Sequence, residues 1–271
     1  MGVVGRSTYD RGMDTARVGD FRPSRHGLHF ANRFPPGPTL RLGPLDPRLL
    51  GIGDASQGLC GGMCFVVGDL WAAGVLPPDD RQPPAFGSPR FRRLVHRQVE
   101  SLDWLRAPLA FWLRAVAPDA ASSRGSRSLW AAAWRRLGWS SLLERTMDAD
   151  WPPIRATIDA GHLAMVGLVR GRSVDPWSLV TNHLVVAYAY RMTDRELRLA
   201  VYDPNHPDRD DVELVVEFER PGRPSRIFQT TGEPLHGFFG CRYRPEPPGP
   251  WRPRRPAGPQ RDIGQASSGS S

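Results

Sequence analysis

The sequence predicts an α+β fold. Helix-type segments occupy the chain up to about residue 160 and strand-type runs follow, a segregation that argues against alternating α/β units. An apolar segment entered from a Gly-rich turn, residues 60–73, reads as a central helix. Two β-branched and aromatic runs, 184–190 and 197–202, flank the polar turn Thr193-Asp194-Arg195-Glu196 and read as a hairpin.

The elements follow in order. Residues 1–20 are polar and Gly-rich, as in a flexible leader. From 21 to 47, Pro at 23, 35, 36, 38, 44 and 47 excludes a regular helix and predicts an extended path across a surface. Pro77-Pro78 stops the helix that begins at Cys60. Ser88-Pro89 is a cap followed by Pro at the first helical position, and Phe91, Leu94, Val95, Leu102 and Leu105 share a face, so a helix runs to about 105. Short helices are expected at 109–116, opened by Pro108, and at 128–136. Asp150 is placed to cap a helix over 152–160 that Gly161 ends. About five strands follow, at 162–169, 184–190, 197–202, 212–218 and 237–243. Residues 245–271, mostly Pro, Arg, Gly and Ser, read as a disordered tail.

Composition narrows the function classes. The chain has 271 residues, 40% hydrophobic and 24% charged, ordinary globular values. All 36 basic residues are Arg, and the formal charge is +8. The Arg are scattered, and no segment concentrates them with aromatics between, which argues against specific nucleic-acid binding. No export or myristoylation signal opens the chain, and the most apolar window, 60–77, is interrupted by Asp69, so no membrane span is expected. Three Cys make no disulfide framework, and the expected compartment is a reducing cytoplasm.

Three pieces carry possible chemistry. In Gln57-Gly58-Leu59-Cys60-Gly61-Gly62-Met63-Cys64-Phe65, a Cys at a helix start meets unpaired N–H groups and the positive end of the dipole, which favour a thiolate. Gly58, Gly61 and Gly62 keep bulk from the sulfur. Cys64 lies one turn further on. In Asn182-His183-Leu184-Val185, a His opens an apolar strand; in Tyr202-Asp203-Pro204-Asn205, a strand runs into a turn. A hairpin centred on residue 193 would place His183 directly opposite Asp203, so that the carboxylate could orient the imidazole toward a thiol. Cys60, His183 and Asp203 then supply nucleophile, general base and orienter. Asn205 is the alternative third residue and Cys64 the alternative nucleophile; Cys60 is nearer the helix start. Cys60, Cys64 and His183 make a poor zinc pattern, because a Cys-x-x-x-Cys lacks a second close pair, and no metal or cofactor is expected.

Residues 57–65 and 182–190 resemble the two motif blocks of papain-like cysteine peptidases, and the Asp-Pro after the second strand is similar to the bacteriocin-leader-peptidase branch. The resemblance spans about 51–239 in outline. It implies a helical half carrying the nucleophile, an antiparallel sheet or barrel half, and an active site in the cleft between them. It also implies a peptide or protein substrate, a catalytic domain at 21–244, and Gln57 as oxyanion donor. In the family that Gln stands six residues before the nucleophile; Gln57 is three before Cys60 and seven before Cys64. The aromatic after the nucleophile matches Phe65 only if Cys64 attacks, and Ala189 replaces the usual Gly. Transglutaminases, deamidases and acyltransferases share the triad order. A transglutaminase-like core has Trp two residues after its His, where this chain has Val185. A papain-fold binding module without activity is the non-enzymatic alternative.

Overall fold

The computed structural model describes residues 13–35, 58–101, 142–170 and 183–251. Its architecture is α+β, with every strand pairing antiparallel. The expected helices at 109–116 and 128–136 lie outside the described residues.

Strand β1 (Met13–Arg17) and the one-turn helix α1 (Pro23–His26) lead to α2 (Cys60–Ala72) and α3 (Pro89–Ser101). A continuous helical run follows: α4 (Leu142–Arg145), a π-helical turn (Thr146–Asp150) and α5 (Trp151–Asp159). The sheet comprises β2 (Ala164–Val169), β3 (His183–Thr193), β4 (Glu196–Tyr202), β5 (Glu213–Arg220), β6 (Arg223–Gln229) and β7 (Gly237–Cys241), with β1 on the far half of β3. Its order is β6-β5-β4-β3-β2-β7.

Helix α2 is apolar on all sides but for Asp69, as suits a core helix: Gly61 to Leu70 are all buried, between α3 and β3. Helix α3 is amphipathic and turns Phe91, Leu94 and Val95 inward. The glycines at the start of α2 answer to this crossing. A Cβ on Gly62 would stand 2.1 Å from the Leu94 carbonyl oxygen, and one on Gly61 2.0 Å from Ser101 Oγ.

The sheet curls strongly. Four strand spacings separate β2 from β6, about 19 Å if flat. Yet Arg170, just after β2, donates to Gln229 at the end of β6 over 2.8 Å. Helix α4 rests on β6, and the π turn rests on β7, where Thr146 Oγ1 meets the Phe238 main chain.

Several expectations need correction. The flexible leader cannot extend to residue 20, because Met13–Arg17 pair with β3 and Val18 is buried. The Pro-rich entry segment is not a surface strap over its described part: Phe21, Leu28, Phe30 and Phe34 are core residues. Asp150 makes no side-chain cap, since the backbone is already helical there. Strand β6 escaped the sequence reading because Arg223-Pro224-Ser225-Arg226 looks like a turn. Its Pro is tolerated on an edge strand at a register shift.

The tail boundary at 245 also moves. Buried Asp69 accepts from Arg93, Arg97, the Tyr243 hydroxyl and the Glu246 N–H. Arg93 holds the Pro247 carbonyl as well. Trp251 is 1% exposed, stacks on Phe30 and lies under the Arg90 guanidinium. Residues 252–271 of the expected tail lie outside the described residues. Trp251→Ala should therefore cost about 3–5 kcal/mol and lower Tm by roughly 10 °C in a thermal melt. An unchanged Tm would show that residues 245–251 do not anchor on the core.

Candidate active site

Helix α2 begins at Cys60 although its N-cap, Leu59, has no capping side chain. The missing acceptors come from elsewhere in the chain. Asn32 Oδ1 accepts the Leu59 N–H at 2.6 Å, and Gln98 Oε1 accepts the Gly62 N–H at 2.8 Å. Gly58 turns the chain into the helix at φ +90°, in the left-handed region, with Asn32 packed where a Cβ would be. Asn32 also donates its own N–H to the Pro204 carbonyl at 2.9 Å and its side-chain amide to Asn205 Oδ1 at 3.3 Å. One residue thus stitches the start of the Cys60 helix to the turn after β4.

His183 opens β3 opposite Leu168 of β2. It does not stand directly across from position 203. The ladder pairs Val186 with Tyr202 and Ala187 with Val201, and a bulge between Ala187 and Ala189 shifts the rest. Continuing that register puts position 185 opposite 203, so His183 meets Asp203 diagonally. An offset of two residues keeps both side chains on one face. The two side chains meet closely, with His183 Nε2 2.5 Å from Asp203 Oδ1. That contact occupies Nε2 and leaves Nδ1 as the nitrogen open to Cys60, whose thiol lies near enough to the imidazole for His183 to lower it.

Asp203 is fully buried, and its carboxylate is fully engaged. Oδ1 also accepts the Asn205 N–H at 2.8 Å. Oδ2 accepts from Gln229 Nε2 at 2.7 Å and Arg170 Nη2 at 3.3 Å. Burial alone would raise its pKa; these donors and the His183 charge outweigh that and hold it well below the usual carboxylate range. Burial pulls His183 down, but Asp203 and Cys60 raise it to about 9. For Cys60, burial pushes the thiol up. The His183 hydrogen bond and charge, with backbone groups of Leu184 and Gly61, more than reverse this and set it below its ordinary value.

The two candidate thiols are thereby separated. Cys60 is half-buried, beside His183. Cys64 is wholly buried, bonds the Leu184 carbonyl at 3.2 Å, and is pushed well above its ordinary value by burial and then by the neighbouring Cys60 and Asp203 charges. Asn205 supports Asp203 through its N–H and does not replace it. Gln57 lies outside the described residues. Sequence reasoning missed Asn32, Gln98, Arg170 and Gln229: each acts across at least 26 positions of chain, and none sits in a local motif. A cavity of about 1020 Å³ lies toward the other end of α2 among Trp71, Ile154, Met165 and Tyr243, and Cys60 does not line it. No helix among the described residues is long and apolar enough to cross a membrane.

Comparison of the chain with protein-family models, curated proteins and solved structures returned no match. The chemistry of the site therefore rests on its own geometry.

That geometry predicts the direction of a thiol titration. In the wild type, the pH midpoint of Cys60 alkylation should lie below that of free cysteine. In His183→Ala the largest opposition to the burial penalty is removed, leaving only the Leu184 and Gly61 backbone groups, and the midpoint should move up. Rates of iodoacetamide labelling against pH, resolved by peptide mass mapping, check this. A midpoint that His183→Ala leaves in place would contradict the thiol–imidazole contact.

Proposed function

We propose that the protein is a thiol-dependent acyl-transfer enzyme, most simply a papain-like cysteine peptidase acting on a peptide or protein. The observation that carries the reading is His183 held by the buried, ionised Asp203, with the Cys60 thiol beside it at the start of α2 and lowered by it. The placement of the thiol on a helix and of its base on an antiparallel sheet supports the papain-like form. An Asp in third place agrees with the leader-peptidase branch. The free thiols suit a reducing cytoplasm.

The reaction follows from the charges. The Cys60 thiolate, beside a protonated His183, attacks the scissile carbonyl, forming the S–C bond. Negative charge develops on the carbonyl oxygen. The Cys60 N–H, in the first turn of α2 and without an intrahelical partner, is placed to receive it; the neighbouring Leu59 and Gly62 N–H groups are already taken. His183 gives its proton to the leaving amine as the C–N bond breaks. Water then attacks the thioester, His183 takes the water's proton, and the acid product leaves with the thiolate restored. Asp203 holds the imidazole in one tautomer throughout, without becoming protonated.

The test is a set of peptides with mass-spectrometric readout, together with a peptidyl vinyl sulfone. Expected are cleavage, a covalent adduct on Cys60, and loss of turnover by about 10⁴-fold or more in Cys60→Ala. Asp203→Asn should fold and lose about 10²-fold or more. Activity should fall above about pH 9, where His183 gives up its proton. An adduct on Cys64, or turnover unaffected by Cys60→Ala, would overturn the reading.

A further inference from the structure

The two oxygens of Asp203 have different duties. Oδ1 serves His183 and the Asn205 N–H, while Oδ2 serves Gln229 and Arg170. Gln229 is itself buried, and an amide can present either its oxygen or its NH₂ to a neighbour. Arg170 decides which. A guanidinium can only donate, and Arg170 Nη2 lies 2.8 Å from Gln229 Oε1. The amide oxygen is therefore drawn to Arg170, and the NH₂ is left for a carboxylate that can only accept. Because Arg170 Nη2 also reaches Asp203 Oδ2, the three side chains close a triangle.

We propose that Arg170 and Gln229 are positioning residues of the thiol site: they lock the plane of the Asp203 carboxylate so that Oδ1 stays on His183 Nε2. The inference rests on the reading of Cys60, His183 and Asp203 as an acyl-transfer triad. A carboxylate held mainly through one oxygen turns easily, because its terminal torsion is broad. Held through both oxygens, it cannot turn without abandoning a buried donor. Packing alone does not account for the arrangement. An apolar side chain of similar length at 229 would fill the same space without burying an amide. Both residues come from the ends of strands, β2 and β6, that carry no member of the triad.

Gln229→Met keeps the length of the side chain and removes the donor. Arg170→Met keeps the Gln229 donor, removes the guanidinium's own contact with Oδ2 and frees the amide to flip, at a partly exposed site where folding is less at risk. Iodoacetamide labelling of Cys60 is followed from pH 5 to 9 in both variants, with near-ultraviolet circular dichroism as the folding control. The expected result in Gln229→Met is a native spectrum, a labelling rate at pH 6 lowered about tenfold, and an acid limb moved to higher pH. A misaligned carboxylate stabilises the imidazolium less, so the thiolate forms later. Arg170→Met should change in the same direction. Folded variants with wild-type rates and limbs, alongside a wild-type Cys60 that still outreacts free cysteine, would overturn the clamp and leave the thiol site standing. A wild-type Cys60 no faster than free cysteine at pH 6 would instead overturn the reading on which the clamp rests.

Discussion

A carboxylate removed from water must be paired on all sides, or it will not stay charged. Asp203 meets that condition with donors from four places: His183 at the start of β3, the main chain of Asn205 just beyond β4, Arg170 after β2, and Gln229 at the end of β6. Those positions can meet only if the sheet is curled. The curl of the fold and the charge of the site are thus one requirement. The ionised Asp203 in turn raises His183, and His183 lowers Cys60, so the reactivity of the thiol descends from a group it does not touch.

The helical side is held to this charge by equally specific contacts. Asn32 ties the Leu59 N–H to the turn that follows Asp203, so the start of α2 is bonded to the end of β4. Further along α2, Asp69 is a second buried carboxylate, held by Arg93 and Arg97 of α3 and by the chain after β7. The two clusters divide the work. The Asp69 cluster fixes α2 against α3 and the strap that ends in Trp251, and the Asp203 cluster fixes the sheet against the first turn of α2.

Much of the frame was legible in the sequence, because it is written in local patterns. The helix at Cys60, the helix after Ser88 and the strands beginning near 184 and 197 follow from capping, stop signals and β-branched runs. The approach of His183 to Asp203 was inferred from a symmetric hairpin, and the bulge near Tyr188 makes the hairpin asymmetric. His183 and Asp203 still share a face, because an offset of two residues preserves the face of the sheet. What was not legible is what depends on curl and on distant partners. Gln229 and Arg170 look like ordinary polar residues at strand ends, and Asn32 like a loop residue. Strand β6 hides behind a Pro, and Trp251 sits in a stretch whose composition suggests a free tail. Gly61 and Gly62 stand out in the sequence, but the demand that the close crossing of α3 makes on them does not.

The central claim is that His183 is charged at neutral pH because Asp203 and Cys60 flank it. Selective ¹⁵N labelling of histidine, read by imidazole nitrogen shifts across a pH series, measures this directly. Both ring nitrogens of His183 should carry protons at pH 7.5 and should lose one near pH 9. A neutral, single-tautomer ring at pH 7.5, titrating in the ordinary histidine range, would contradict the account.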